Sequence, residues 1–307
     1  MKLLLILLHF RTYDMKNLTY FYLIFLLLSG CSLEEQSYDY DLQGHRGARG
    51  LLPENTIPGF LRAVEEGVDT IELDVVVTGD SLILVSHEPW FSHTIATKPD
   101  GTPVTEDEEE SLNIFEMTYE ETQQFDVGIR GNRNFPNQEA MAVTKPLLSE
   151  AIIAVETFIK EQDLNLVKYN IETKSQPDWY GVYCPLPEVY AQLVYDQLVE
   201  LDVLDRVIIQ SFDPSTLIAM RELDPGISLA MLVYEESQTV ERMTDILGFT
   251  PDIWSPNYSL VTPLLVDKAQ QQGMELIPWT VNNRSQMVRL LEMGVDGIIT
   301  DYPNRAP

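Results

Sequence analysis

Thr70-Ile71-Glu72-Leu73-Asp74-Val75-Val76 sets an acid at alternate positions between aliphatic residues. Side chains of an extended strand point to opposite faces in turn, so Ile71, Leu73 and Val75 share one face, and Glu72 and Asp74 share the other. The apolar face calls for a layer of helices, which leaves both carboxylates pointing inward. Asn170-Ile171-Glu172-Thr173-Lys174 repeats the arrangement, with Ile171 opposite Glu172 and Lys174. Inward charges backed by an apolar outer face fit an α/β fold of the TIM-type (β/α)8 barrel, whose sites lie at the C-terminal ends of parallel strands.

The rest of the chain supports that reading. From residue 41 onward, short apolar strands alternate with amphipathic helical stretches, as in repeated βα units. Eight strands are predicted, over 42–46, 70–76, 166–172, 207–212, 228–233, 253–256, 276–281 and 297–300. Helices are predicted over 56–66, 148–162, 187–201, 214–223, 263–272 and 284–293. Asn55 and Asn283 read as N-caps, and Gly67, Gly273 and Gly294 as helix stops. Gly79-Asp80 reads as a turn that folds Ser81–Ser86 back on the second strand as a hairpin. Residues 88–147 are then a small insertion after that strand. Its acidic run, Glu106-Asp107-Glu108-Glu109-Glu110, reads as a solvated loop, with a metal site as the alternative.

Composition bounds the function. With 307 residues and 45% hydrophobic content, the chain can bury one sizeable core. Its net charge is −28, and residues beyond Cys31 carry 17 basic and 47 acidic side chains, net −30. Such a surface repels nucleic acid, and no protein partner is implied. An anionic substrate needs local positive charge from a metal, an arginine or a lysine. The only cysteines are Cys31 and Cys184, so no disulfide framework or thiolate zinc cluster can be built. Cys184, in Tyr183-Cys184-Pro185, reads as a semi-buried free thiol.

Three inward carboxylates, Glu72, Asp74 and Glu172, would repel one another in a low-dielectric interior. A divalent cation removes that penalty, and oxygen ligands favour Mg²⁺, Ca²⁺ or Mn²⁺ over zinc. The alternative is a buried ion-pair network with Arg46 and Lys174. His45 ends the first strand in Gly44-His45-Arg46-Gly47, and His87 ends the hairpin returning from Asp74. Two imidazoles beside charged strand ends suit a general acid and a general base. His9 and His93 lie elsewhere, so a histidine-rich metal site is not expected. Metal, guanidinium and ammonium together suit the charge of a phosphodiester.

These residues closely resemble the glycerophosphodiester phosphodiesterase (GDPD) family. The match runs through His45-Arg46-Gly47, Pro53-Glu54-Asn55-Thr56, Ile71 to Val75, His87 and Asn170 to Lys174. It continues through Gln210-Ser211-Phe212-Asp213, Trp279-Thr280-Val281-Asn282 and Gly294 to Pro303. It covers roughly residues 43–303. The insertion segments Phe125-Asp126-Val127-Gly128 and Phe135-Pro136-Asn137-Gln138 resemble those of periplasmic and secreted members. The resemblance implies hydrolysis of glycerophosphodiesters to sn-glycerol 3-phosphate and an alcohol. It implies His45 and His87 as the acid/base pair, and one divalent cation, Ca²⁺ or Mg²⁺, on Glu72, Asp74 and Glu172. Arg46 and Lys174 would bind phosphate, and Phe212 and Trp279 would line the glycerol or alcohol pocket. Glu54 and Asn55 would fix the first βα loop, with Glu54 reaching toward the site. Thr173 and Ser81 depart from the family pattern at positions expected to face away from the site. Alternatives are a phospholipase-type phosphodiesterase acting on intact lipids and a non-catalytic binding lipoprotein.

The first 40 residues read as targeting. Residues 18–28 are almost wholly apolar but too short to cross a bilayer core of roughly 30 Å, which suits a signal peptide over residues 1–30. Leu28-Ser29-Gly30-Cys31 resembles a bacterial lipobox, with Cys31 lipidated and residues 31–40 as a tether. The alternative is an uncleaved membrane anchor. Met15-Lys16-Asn17 offers a compact signal of its own, so translation is expected to start at Met15. The expected location is the bacterial cell envelope, lipid-anchored in the periplasm or outer membrane.

Overall fold

The computed structural model describes residues 38–307; the signal segment and Cys31 lie outside them. The parallel strands are β1 (Asp41–Gly44), β2 (Thr70–Val77), β4 (Lys168–Thr173), β5 (Val207–Ser211), β6 (Ser228–Val233), β7 (Ile253–Pro256), β8 (Glu275–Leu276) and β9 (Gly297–Thr300). They run side by side in the order β8-β7-β6-β5-β4-β2-β1-β9. Backbone bonds from Asp296 N to Leu276 O, Ile299 N to Pro278 O and Val281 N to Ile299 O tie the two ends together. The result is the nearly closed eight-stranded barrel that the sequence predicts.

β3 (Ile83–Val85) pairs antiparallel with β2 through Val75–Val85, Val76–Leu84 and Val77–Ile83, so the hairpin forms as predicted. Its turn is built differently. Ser81 is the left-handed residue, at φ 64°, while Asp80 accepts bonds from Thr78 Oγ1 and Tyr119 N. The seventh predicted strand, 276–281, pairs regularly only over Glu275–Leu276. Pro278 has no N–H to give, so the ladder is interrupted although Ile277 N and Trp279 N still reach Trp254 O and Pro256 O of β7.

The helices are α1 (Ile57–Glu65), α2 (Tyr119–Thr122), α3 (Leu148–Gln162), α4 (Pro187–Glu200), α5 (Pro214–Leu223), α6 (Val240–Leu247), α7 (Pro263–Gln271) and α8 (Arg284–Glu292). Asn283 caps α8 as predicted, accepting from Ser285 N at 2.9 Å. Asn55 does not cap α1. Thr56 does, accepting from Gly59 N at 3.3 Å, and Asn55 sits one residue earlier in a left-handed turn at φ 54°. α6 has no counterpart among the predicted helices. Thr239 caps it and Val240, Met243 and Leu247 form a regular buried stripe, but the helix spans only eight residues.

Inside the barrel Ile208, Ala230, Ile253, Ile277 and Ile299 form an apolar cluster. A polar layer follows: Asn170 Nδ2 donates to Gln43 Oε1 at 2.8 Å and Gln210 Nε2 donates to Glu72 Oε1 at 2.8 Å. The chain enters at the N-terminal ends of the strands, where Thr70 Oγ1 donates to Asp41 Oδ1 and Leu42 N to Asp69 Oδ2. The insertion carries its own small core of Phe91, Ile95, Ile114 and Phe125 against Val76 and Leu84 of the hairpin. In its acidic run Glu108 pairs with Lys98 at 2.9 Å and Glu109 with His93 at 2.7 Å, so the run is a loop with local partners.

Candidate active site

Parallel register brings the acids together. β2 and β4 align Asp74 with Glu172 and Glu72 with Asn170, so like-facing side chains become neighbours across the pair. Glu72, Asp74 and Glu172 each offer an oxygen within 4.8 Å of the others, and all three are buried. Burial first, and the neighbouring acids after it, raise the carboxyls of Glu72 and Glu172 above the usual range. Asp74 goes the other way. Burial opposes its charge, but His87, Arg46, Lys174 and the Asn55 amide outweigh it and hold it ionised.

The first strand ends in a tight reversal that closes this cluster from below. Arg46 and Gly47 are both left-handed, at φ 49° and 83°, which turns Arg46 N onto Glu72 Oε2 at 2.7 Å. A side chain at position 47 would strike the Gly59 backbone at 2.7 Å, so glycine is required there on two counts. Arg46 Nη1 lies 2.5 Å from Glu54 Oε1 and its Nε lies 3.3 Å from Asp74 Oδ2. Asn55 grips Asp74 twice, donating to Oδ2 at 2.8 Å and accepting from its backbone N at 3.2 Å. Lys174 Nζ lies 2.7 Å from Glu172 and 3.8 Å from Asp74 Oδ1, which has no hydrogen-bond partner.

A cavity of about 240 Å³ opens over the cluster, lined by His45, Arg46, Glu72, His87, Glu172 and Trp279 among others. Each imidazole is held from behind by a carboxylate. His45 Nδ1 lies 2.6 Å from Asp301 Oδ1, and His87 Nδ1 lies 2.7 Å from Glu88 Oε1. An ionised carboxylate can only accept, so both rings carry the proton on Nδ1 and turn Nε2 outward. Burial would raise Asp301, but His45, Arg49 and the Asn282 amide hold it at about 2. Glu88 is likewise lowered, by His87, Arg46 and Lys145 against the effect of burial. Both imidazoles are pushed below the ordinary histidine value, by burial first. For His87 the nearby Arg46 and Lys174 add to the effect.

The donor set fits a hard divalent cation. It is all oxygen, it contains an orphaned carboxylate oxygen, and burial followed by the neighbouring acid raises two of its members above the usual carboxylate range. It is the only such three-residue cluster among the described residues.

Most predicted site residues therefore converge: His45, His87, Glu72, Asp74, Glu172, Arg46 and Lys174. Phe212 and Trp279 meet edge to face at 5.4 Å on the cavity wall. Glu54 sits behind the wall, between the guanidiniums of Arg46 and Arg49 at 2.5 and 3.0 Å. Cys31 lies outside the described residues. Thr173 bonds Thr216 of α5 and so faces the helices, as expected. Cys184 is buried, and burial lifts its thiol to about 11, so it is inert. Sequence reasoning missed Asp301, Glu88, Arg49 and Gln210 as site components. Glu88 had a signal, since it follows His87 directly. Asp301 was inside a quoted motif but had no visible connection to His45.

Known proteins resemble the chain in sequence and in fold. Residues 45–305 match the glycerophosphoryl diester phosphodiesterase family. A glycerophosphodiester phosphodiesterase of Caldanaerobacter subterraneus subsp. tengcongensis is 32% identical over 259 residues, 84% of this chain and 93% of that one. A crystal structure from Silicibacter pomeroyi DSS-3, ascribed to the same enzyme type, shares 28% identity with a TM-score of 0.77 over 88% of this chain and 92% of that one. An Oleispira antarctica phosphodiesterase solved with the product sn-glycerol-3-phosphate shares the fold, at 21% identity and a TM-score of 0.67 over 86% of this chain and 94% of that one.

Proposed function

Because the chain belongs to the glycerophosphoryl diester phosphodiesterase family, we propose that it hydrolyses glycerophosphodiesters to sn-glycerol 3-phosphate and an alcohol by acid/base catalysis between two histidines. One observation carries this reading. Two carboxylate-backed imidazoles flank a three-carboxylate cluster at one cavity, with guanidinium and ammonium groups beside it. The Oleispira enzyme's product complex supports the choice of product. The test is release of sn-glycerol 3-phosphate from a pure glycerophosphodiester, followed by a coupled assay. No release at saturating Ca²⁺ or Mg²⁺ refutes the proposal.

Glu72, Asp74 and Glu172 would hold one Ca²⁺ or Mg²⁺, which supplies Lewis-acid charge at the phosphoryl oxygens when bound. The chain's own groups do the rest. Arg46 and Lys174 bind the phosphate and offset charge on its equatorial oxygens. One imidazole removes the proton from the attacking oxygen through Nε2 as the new P–O bond forms. The other, carrying a proton on both ring nitrogens as the imidazolium, gives its Nε2 proton to the alkoxide as the old P–O bond breaks. Trp279 and Phe212 pack against the carbon skeleton. Glu54 keeps Arg46 in place. We also propose that Cys31 is lipidated and holds the enzyme on the cell envelope, on the strength of the Leu28–Cys31 motif.

Two outcomes follow for the histidines. Glu88→Gln and Asp301→Asn each free an imidazole to rotate and to change tautomer. Each should lower kcat by about 10- to 100-fold while KM moves little. Unchanged kcat in both variants would show the carboxylates to be bystanders. The base must be neutral to act, and both imidazoles have pKa values below the usual 6.5. Activity should therefore persist as pH falls to 6.5 and fail only further into acid. A kcat/KM profile at saturating metal reads this directly, and an acid limb centred above pH 7 contradicts it.

A further inference from the structure

Beside the catalytic cavity lies a second one of about 500 Å³, sharing Glu172 and Phe212 with it. Phe212 is the partition. Its ring meets Trp279 edge to face at 5.4 Å on the catalytic side and Tyr234 at 5.6 Å on the other. Trp179 and Tyr234 supply aromatic walls, and Tyr234 is 55% exposed at the opening. Asp213 lines the cavity with 2% of its surface exposed. Its carboxylate accepts only neutral donors: Ser175 Oγ at 2.7 Å, Tyr180 OH at 2.6 Å and Ser215 N at 3.0 Å. No cationic side chain pairs with it among the described residues. Lys174, the one cation on the wall, is engaged by Glu172 at 2.7 Å. Glu235 and Glu236 follow Tyr234 on the exposed loop.

We infer that this second cavity receives the leaving alcohol and selects alcohols that carry an ammonium group. The inference rests on the phosphodiesterase reading and adds a substrate class to it. The alcohol departs opposite the attacking oxygen while the glycerol oxygen stays on phosphorus, so the two halves of a diester need separate lodgings. The smaller cavity, over the carboxylate cluster, takes the glycerol phosphate. The larger takes what departs. Aromatic faces attract an organic cation, most strongly where it is desolvated. The Asp213 charge beneath adds a long-range pull, offset only in part by the N-terminus of α5 that it caps and by Lys174, which Glu172 engages. A neutral polyol gains neither, and an anionic head group meets Asp213 and the loop acids.

The test compares kcat/KM for glycerophosphocholine and glycerophosphoethanolamine with that for the neutral diester of two glycerols. Release of sn-glycerol 3-phosphate is the readout. The cationic substrates should be favoured about tenfold or more. The cationic-to-neutral ratio should fall roughly three- to fivefold in Tyr234→Ala, from the loss of an exposed cation–aromatic contact. It should fall about tenfold in Asp213→Asn, which keeps an oxygen for Ser215 N but loses the charge. A wild-type ratio near one, or a ratio that Tyr234→Ala leaves in place, overturns the inference while the phosphodiesterase assignment stands. If none of the three diesters is cleaved, that assignment fails and the subsite falls with it.

Discussion

His87→Ala is expected to lower kcat by roughly 10²- to 10⁴-fold, the range a positioned general acid or base supplies. The fold should survive, because the His87 side chain is 30% exposed and its ring bonds only to the neighbouring Glu88. Loss of activity will then be chemical. His45→Ala should behave in the same way, though its ring is 13% exposed and Asp301 loses its partner, so some stability is lost as well. Circular dichroism and steady-state kinetics on the two variants separate these effects. Near-normal turnover in either one removes that imidazole from the mechanism.

The second large effect concerns the acids. Exhaustive chelation with EDTA should abolish turnover, and Ca²⁺ or Mg²⁺ should restore it. The physical reason is the misfit of the bare cluster. Burial, and after it the charge of Asp74, pushes the carboxyls of Glu72 and Glu172 up, and Asp74 Oδ1 lacks a hydrogen bond. A divalent cation relieves all of this at once, so binding should release protons and raise thermal stability. A ligand at 100 times its Kd adds about 2.7 kcal/mol to the folded state. A thermal shift titration therefore reports the metal independently of activity. An apo protein with full turnover, or with no shift in Tm at millimolar Ca²⁺ and Mg²⁺, would leave the cluster as an ion-pair network. Glu72→Gln should lose both the shift and the turnover.

The barrel and the acid cluster were legible because both depend on short-range alternation. Glu72 and Asp74 share a face by strand geometry alone, and Ile71 and Leu73 name the other face. The partners of the imidazoles were not legible in the same way. Asp301 stands 256 residues from His45, and only barrel closure brings them to 2.6 Å. Arg49 read as one more residue of a loop until Glu54 and Asp301 gathered around it. The helix of residues 240–247 has a regular apolar stripe but only eight residues in which to show it. The misplaced cap has a different cause. Asn55 and Thr56 are both good caps, and the choice was made by Asp74, which claims the Asn55 amide twice. The strand predicted over 276–281 is in place, but Pro278 breaks its regular ladder after Leu276.

The point where the chain joins the barrel governs what the enzyme can reach. β1 is fed from the end of the strands opposite the catalytic mouth, beside Asp69 and Thr70. On the proposal that Cys31 is acylated, the eight links to Asp39 extend at most about 29 Å. The 15-residue helix on the barrel wall already measures about 22 Å, before the loops above it are counted. Entry of the chain and catalytic mouth thus lie on opposite faces of the barrel, so an attachment at the first leaves the second open.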